Sequence, residues 1–315
     1  ILGHDVVRQR FGEAMRDNRL HHAWLLYGVK GIGKSKVADE LRALFLCESP
    51  DLVNYQACGQ CHHCAMLFAG SHPDFQRVEL LWNTKTKKFN RDINIEQTRD
   101  ALAFMSMSGL KSKRRVLLID DANLMNNQAA NALLKGLEEP TEGSLLLIVC
   151  HDLTRLPATI RSRCMLQACA PLDAAHMKAV LVNQELDERL HELAIGLGQG
   201  SPGRVVALQE PAHAKALLEW QGIVTDLANS DIGKMQQWLD KHVKSIPHDL
   251  IAHMVVMAAQ KLAIEIGSWE KSNAVYLASV AVASWPKEVI RHTLRPVPAL
   301  LAYILQLRNA LKIRV

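Results

Sequence analysis

The sequence has no run of about 18 uncharged apolar residues, the length that a membrane-spanning helix needs. Its first residues lack the basic stretch and apolar core of a secretion signal, so we expect a cytoplasmic protein. Internal repeats and low-complexity tracts are also missing. What is present is an ordinary globular composition, with 49% apolar and 22% charged residues. The length of 315 residues favours about two to three domains.

A large charge excess is likewise absent. The formal net charge of +5 permits a nucleic-acid partner but is far below the basic excess of a DNA-wrapping protein. Basic residues concentrate in two short runs, Lys85–Arg91 and Lys111–Arg115, and runs of this size are more often solvated loops than binding sites. Charge by itself therefore identifies no partner.

The two halves of the chain have different patterns. Residues 1–165 alternate helical patterns with short apolar segments, which are Ala23–Tyr27, Phe75–Val78, Val116–Ile119 and Leu145–Val149. Because near-continuous apolar strands are buried on both faces, these segments predict a parallel sheet covered by helices, an α/β fold. After about residue 200 the chain predicts only helices, at 213–228, 234–243, 249–266 and 274–284. Pro286, Pro296 and Pro298 are expected to break the last part into short elements.

A glycine-rich segment follows the first predicted strand directly. Residues 28–35 read Gly-Val-Lys-Gly-Ile-Gly-Lys-Ser and fit the pattern of a phosphate-binding loop between a strand and a helix. Gly28, Gly31 and Gly33 let backbone N–H groups turn toward phosphate oxygens. Lys34 is expected to reach the β and γ phosphates, and Ser35 is expected to bind Mg²⁺. The alternative, a strand-to-helix turn without a ligand, is disfavoured because the flanking strand and helix both match a nucleotide site.

Two aspartates end the predicted strand Val116–Ile119. In a nucleotide site Asp120 would support Mg²⁺, and Asp121 would stand where such ATPases carry a water-activating Glu. The side chain of Asp121 is one methylene shorter than Glu, so we predict a poor general base. Read alone, an Asp pair at this place more often marks a helix N-cap. Together with the phosphate-binding loop it indicates an ATP site.

Four of the seven cysteines are closely spaced. They are Cys47, Cys58, Cys61 and Cys64. Two overlapping Cys-x2-Cys steps place three sulfurs in one turn, and Cys47 can complete a tetrahedral zinc site with no position left for water. We therefore predict a structural Zn²⁺ within residues 47–64. His62 and His63 could compete as ligands, whereas the remaining cysteines are expected to be ordinary buried thiols. These remaining cysteines are Cys150, Cys164 and Cys169.

Two further segments say little when read alone. Asn131–Pro140 predicts a packed amphipathic helix, and Ile160–Cys164 predicts a solvated turn. Combined with the glycine-rich loop and the cysteines, their order and spacing over about residues 20–205 resemble bacterial clamp-loader subunits of the AAA+ class. The helix resembles that family's N-A-L-L-K-x-L-E-E-P signature, and Ser162-Arg163-Cys164 resembles its Ser-Arg-Cys triplet.

The resemblance implies three domains. They are a RecA-like AAA+ domain at 1–165 with an inserted zinc knuckle, a small helical lid at 166–208 and an all-α collar at 209–315. It implies that Arg163 acts as an arginine finger in the ATP site of an adjacent subunit. It also implies ATP or ADP with Mg²⁺ as ligands and delta and gamma/tau clamp-loader subunits as partners. Contact with the sliding clamp would be indirect, primed DNA would lie within the assembled complex, and polymerase activity would belong to another subunit.

Several residues favour the delta-prime branch of this family over its gamma/tau motor branch. Residues 200–204, Gly-Ser-Pro-Gly-Arg, resemble the delta-prime turn, which makes Arg204 a doubtful nucleotide sensor. Cys150 and His151 stand where motor subunits present Thr near the γ-phosphate, so hydrolysis by the chain alone is expected to be slow or absent. The alternatives are a gamma/tau-like ATP-hydrolysing motor, a nucleic-acid-binding module and, more remotely, a P-loop kinase. A kinase would leave the cysteine cluster and the collar unexplained.

Overall fold

The structure is a computed structural model of the chain, and it describes residues 2–107, 113–266 and 269–312. The chain forms two compact units, residues 1–177 (the first unit) and 178–315 (the second unit). The predicted lid at 166–208 is divided between them, and the three-domain division stays a prediction. In the described ranges, no helix combines the length and the apolar character that crossing a membrane requires.

The first unit is built around a parallel sheet. Its strands are β1 (Ala23–Tyr27), β2 (Phe75–Val78), β3 (Trp82–Asn83), β4 (Lys88–Phe89), β5 (Arg115–Ile119), β6 (Ser144–Cys150) and β7 (Met165–Ala168). Its helices are α1 (Asp5–Arg16), α2 (Lys34–Leu46), α3 (His62–Phe68), α4 (Ile95–Ser106), α5 (Asn127–Glu138) and α6 (Ala158–Arg161), and α7 (Ala174–Asn183) spans the boundary at 177. The parallel sheet has the order β2-β5-β6-β1-β7, and β3 and β4 form a separate antiparallel hairpin. The predicted α/β fold with a parallel sheet is confirmed.

The edge strands of the sheet differ from the sequence prediction. Every residue of β5 is buried, but three of the four residues of β2 are only partly buried, so the prediction that β2 is covered on both faces is wrong. At the edge, β2 has a single neighbouring strand, and its polar side chains reach solvent. The sequence analysis does not predict β7. Its apolar side chains, Met165 and Leu166, are 48% and 42% exposed, so β7 does not have the apolar pattern of a buried strand.

Strand β1 separates two hydrophobic layers. Trp24 and Leu26 pack with residues of α1 and α2, whereas Ala23 and Leu25 pack with residues of α4 and α5. This division follows from the alternation of side chains along a strand. The ring of Phe11 meets the ring of Trp24 edge to face, with 5.1 Å between centroids. Because the strands are parallel, the loops that follow their carboxyl ends lie together at one end of the sheet. Ligands of such folds bind at this end.

The second unit is helical in its described residues. Its helices are α8 (His191–Gly198), α9 (Pro211–Thr225), α10 (Ile232–His242), α11 (His248–Ile266), α12 (Trp269–His292) and α13 (Pro296–Lys312). The four predicted helices correspond to α9 through α12. Pro286 lies inside α12, so the prediction that it breaks the chain there is wrong. The side chains of Val282 and Trp285 are 0% exposed, and this packing offsets the cost of about 3 kcal/mol for an internal proline. Pro296 instead begins α13, where the missing N–H would have had no helical partner.

Candidate functional site

The glycine-rich loop connects β1 to α2. Gly28, Gly31 and Gly33 have φ angles of 149°, 84° and 99°, values that other residues rarely adopt. A Cβ atom on Gly28 would lie 2.3 Å from the carbonyl oxygen of Cys169, so a side chain at this position would displace the end of β7. The loop therefore needs glycine, and it ends at the N-terminus of α2, where the helix dipole favours an anion.

The side chain of Lys34 lies under this loop. It is 2% exposed, and its Nζ donates hydrogen bonds of 2.7 Å to the carbonyl oxygens of Gly28 and Val29. Burial lowers the pKa of Lys34 to about 8, so the ammonium is predominantly charged at neutral pH. A phosphate bound at the loop would offer Nζ stronger, charged acceptors than the two carbonyls.

Ser35 and Asp120 are brought together across the carboxyl edge of the sheet. The hydroxyl of Ser35 donates to Oδ1 of Asp120 over 2.6 Å. The other carboxylate oxygen, Oδ2, accepts from Nη1 of Arg77 at 2.9 Å, and Nη2 of Arg77 donates to Asp39 of α2 at 2.6 Å. Sequence reasoning missed Arg77. The only local signal was a charged residue within a short strand pattern; the pairing of Val78 with Ile119, one residue before Asp120, is known only from the structure.

Asp121 is paired with His151. Its Oδ2 lies 3.3 Å from Nε2 of His151, and its Oδ1 accepts from the backbone N–H of Asn123 at 3.2 Å. Although burial acts to raise it, the hydrogen bond and charge of His151 hold the pKa of Asp121 below its ordinary value. The side-chain oxygen of Asn123 accepts from the backbone N–H of His151 at 2.7 Å and fixes that segment. Both oxygens of the predicted base are therefore engaged within the chain.

Arg163 lies at the opposite edge of the sheet from the glycine-rich loop. It stands between α6 and β7, and Met165, the first residue of β7, pairs with Trp24 near the start of β1. The loop follows the last residue of β1, so the two sites are separated by the length of the strand. Nη2 of Arg163 lies 2.9 Å from Oε1 of Glu138, and Nη1 donates to the carbonyl oxygen of Thr159 at 3.1 Å.

The four clustered cysteines converge around one point. Their Sγ atoms all lie within 4.8 Å of one another, and the pairs Cys47–Cys61 and Cys58–Cys64 are 4.0 Å apart. Tetrahedral Zn²⁺ with Zn–S bonds of about 2.3 Å would place its sulfurs about 3.8 Å apart, which these residues fit. Hydrogen bonds from the backbone N–H groups of Gln60 and Cys61 lower the pKa of Cys58 to about 6, which favours its thiolate, whereas burial raises the pKa of Cys47 and raises that of Cys64 to about 12. A bound metal would therefore have to displace protons from Cys47 and Cys64.

The other predicted ligands and thiols lie apart from this cluster. Nδ1 of His63 is 2.8 Å from Nε2 of His72, and its Nε2 is 3.4 Å from Glu48, so both ring nitrogens have partners outside the cluster. His62 is exposed. Burial raises the pKa of Cys164 to about 12 and that of Cys169 to about 11, which keeps both as thiols at neutral pH. Cys150 and Cys169 are buried, as predicted, whereas Cys164 is only partly buried. The Sγ of Cys150 lies 3.4 Å from the side-chain oxygen of Asn123.

The two basic runs differ in their exposure to solvent. Lys85–Arg91 covers the turn and the second strand of the β3–β4 hairpin and is exposed, as predicted, apart from the half-buried Asn90. In the second run, Lys111 and Ser112 lie outside the described residues. The expectation of a solvated loop is wrong for Arg115, which begins the buried strand β5 and is 4% exposed. Its Nη2 lies 3.3 Å from Oδ1 of Asp74, which is 0% exposed, because a charge inside the sheet needs a buried partner.

Arg204 belongs to the second unit. It ends a short 3₁₀ turn, Pro202–Arg204, and Nη1 donates to the side-chain oxygen of Gln199 at 2.9 Å. Its predicted status as a doubtful sensor stays a prediction.

Comparison with known proteins gives one family. The family described as DNA polymerase III, delta subunit, matches residues 3–173. A delta' subunit of DNA polymerase III from Pseudomonas aeruginosa is 41% identical over 184 residues, which are 58% of this chain and 53% of that protein. A tau/gamma subunit from Haemophilus influenzae is 26% identical over 278 residues, 86% of this chain and 38% of that protein. The matches thus span about half, or less, of the length of these curated relatives.

Among solved structures, a gamma subunit-related protein of DNA polymerase III from Thermotoga maritima aligns with this chain at a TM-score of 0.47 and 16% identity. The alignment covers 98% of this chain and 100% of that one.

Proposed function

Because the chain belongs to the family of the DNA polymerase III delta subunit, we propose that it is a clamp-loader subunit of the delta-prime type. The observation that carries this proposal is that the identity to a delta' subunit is higher than the identity to a tau/gamma subunit. In this role the chain is a stator that supports ATP-dependent loading of the sliding clamp onto primed DNA. Its partners are delta and gamma/tau subunits, and polymerase activity lies in another subunit.

The first unit is proposed to be an AAA+ domain that binds ATP or ADP at residues 28–35. The positive φ angles of the glycines, the buried ammonium of Lys34 and the contact between Ser35 and Asp120 support this proposal. Ser35 and Asp120 would hold Mg²⁺, which neutralises phosphate charge when bound. Turnover is proposed to be slow, because the carboxylate of Asp121 is shared with His151 and Asn123.

Arg163 is proposed to serve the ATP site of a neighbouring subunit. Its support is the position at the amino edge of the sheet, on the order of 15 Å of strand away from the loop in its own chain. The planar guanidinium suits phosphate oxygens, and the pair that it forms with Glu138 is half-exposed and therefore weak. A neighbouring nucleotide could replace Glu138 as the partner of Arg163.

The cysteine cluster is proposed to hold a structural Zn²⁺. Four protein sulfurs fill a tetrahedral site, so the metal would fasten the segment between α2 and α3 rather than take part in chemistry. The backbone N–H groups of Cys58, Cys61 and Cys64 point at neighbouring sulfurs at 3.3 to 3.5 Å, an arrangement that stabilises thiolate charge.

The second unit is proposed to provide the helical collar that contacts the partner subunits. Helix α12 supports this role, because it exposes Trp269, Tyr276, Leu277 and Val280 by 79%, 61%, 61% and 49%. Large apolar side chains concentrated along one helix favour a protein contact. Tyr276→Glu is therefore expected to weaken assembly with gamma/tau and delta subunits, while Glu219→Gln, on the separate helix α9, serves as the control.

An omission experiment tests the proposed function. Sliding clamp, primed DNA, ATP, and delta and gamma/tau subunits are mixed with and without this chain, and clamp retained on the DNA is measured. We expect loading only when the chain is present. Equal loading in both mixtures would contradict the proposal. Rapid ATP hydrolysis by the chain alone, lost on Lys34→Ala, would favour the gamma/tau-like motor instead.

A further inference from the structure

Arg77 contacts the candidate nucleotide site, although the proposed Mg²⁺ site needs only Ser35 and Asp120. Its guanidinium lies between Asp120 and Asp39, at 2.9 Å and 2.6 Å. Asp120 is the carboxylate proposed to support Mg²⁺, and its second oxygen already accepts from Ser35. Both oxygens of the metal-supporting carboxylate therefore have a donor within the chain.

The position of Arg77 is fixed by a chain of ion pairs. Asp39 of α2 also accepts from Nε of Arg42 at 2.7 Å, and the guanidinium of Arg42 lies 4.0 Å from the centre of the Phe75 ring. The side chain of Arg77 is 27% exposed, so it is held by these contacts yet accessible from solvent. It is thus a preorganised cation at the carboxyl edge of the sheet.

The formal charges around the site cancel before any metal binds. Three carboxylates, Asp39, Asp120 and Asp121, lie near three cationic side chains, Arg42, Arg77 and Lys34. In nucleotide sites of this kind, a divalent metal normally separates the acidic side chain from the phosphates and neutralises both. Here Arg77 neutralises Asp120 directly, which removes much of the repulsion that a metal would otherwise have to relieve.

We propose that Arg77 acts as a built-in cation of the nucleotide site, so that this chain binds nucleoside diphosphates and triphosphates with little dependence on Mg²⁺. This inference rests on the proposed nucleotide binding at residues 28–35. Arg77 is a positioning residue for Asp120 and a source of fixed positive charge. A site with a fixed arginine in the metal's electrostatic role suits holding a nucleotide rather than turning it over.

The test is the affinity of the full chain for ADP, measured by calorimetry with Mg²⁺ and again with excess chelator for Mg²⁺. For the natural chain we expect the two dissociation constants to agree within about threefold, a difference well under 1.4 kcal/mol. In Arg77→Met, which keeps an apolar stem but removes the charge, chelation should weaken binding by about tenfold or more. Arg77→Lys retains a charge and should lie between the two.

Arg8→Met is the matched control. It removes a largely buried guanidinium that pairs with Glu40 of α2 but leaves the contacts of Arg77 with Asp39 and Asp120 in place, so it should keep the Mg²⁺ dependence of the natural chain. A thermal melt of each variant separates loss of folding from loss of binding. If Arg77→Met does not fold, Arg77→Lys supplies the comparison, because it alters the same contacts with Asp39 and Asp120.

Two outcomes would overturn the inference while leaving nucleotide binding intact. One is a loss of more than about tenfold in affinity when Mg²⁺ is removed from the natural chain. The other is the same Mg²⁺ dependence in the natural chain and in Arg77→Met, with binding that Lys34→Ala abolishes. If the natural chain bound no ADP even with Mg²⁺, the proposed nucleotide site itself would be wrong, and the inference would fall with it.

Discussion

Replacing Arg163 with alanine separates a role within the chain from a role in a neighbouring subunit. Within the chain the side chain forms an ion pair with Glu138, and the two side chains are 38% and 50% exposed. Such a half-exposed pair is worth less than about 1 kcal/mol, so Arg163→Ala should barely change the thermal midpoint. The sheet separates Arg163 from the glycine-rich loop, so the ADP affinity of the isolated chain should also be unchanged.

The expected effect in an assembled clamp loader is much larger. An arginine finger contributes about 10³–10⁵ in rate at the one ATP site that it serves. Total ATP hydrolysis by the complex should therefore fall by the fraction that this one site contributes. The sites served by arginines of other subunits should continue to hydrolyse ATP. Arg163→Lys keeps the charge without the planar fork and should recover little. The assay is steady-state ATP hydrolysis by the complex with primed DNA and clamp.

Glu138→Gln provides the control, because it breaks the ion pair but keeps the arginine. It should leave turnover intact. If Glu138→Gln slowed the complex as much as Arg163→Ala, or if Arg163→Ala abolished ADP binding by the isolated chain, the proposed action in a neighbouring site would be wrong.

Three further results are expected. The pKa of Lys34 is about 8 in the free chain and should rise when a phosphate binds. ADP affinity should therefore fall as the pH increases from 7 to 9 and Lys34 loses its proton. Residual ADP binding by Lys34→Ala should not show this pH dependence. Metal analysis should find about one zinc per chain, and its removal by chelator should lower the thermal midpoint and expose four more reactive thiols while ADP still binds. Asp74→Asn should lower the free energy of unfolding by about 3–5 kcal/mol in denaturant titrations, since the Arg115 charge would remain in the sheet without a carboxylate.

The local parts of the site follow from sequence patterns. The glycine-rich loop, the aspartates after β5 and the clustered cysteines each depend on short spacing that one strand, turn or helix imposes. The parallel sheet follows from apolar segments long enough to be buried on both faces. These features can be predicted from the sequence because residues close together in the chain determine them.

The long-range contacts could not be predicted in this way. Arg77 meets Asp120 because β2 pairs with β5, and nothing within either segment records that pairing. The contact between His151 and Asp121 likewise depends on the pairing of β5 with β6. Pro286 shows the opposite case, in which a strong local signal is overridden because α12 is held by buried side chains. Tertiary packing decides each of these.

Assembly with purified partner subunits shows whether the chain is part of a clamp loader. The chain is mixed with purified delta and gamma/tau subunits, and the products are separated by size-exclusion chromatography with light scattering to obtain their mass. We predict one stable complex that contains all three proteins and withstands dilution. If the chain elutes alone while delta and gamma/tau behave as they do without it, the chain is not a clamp-loader subunit.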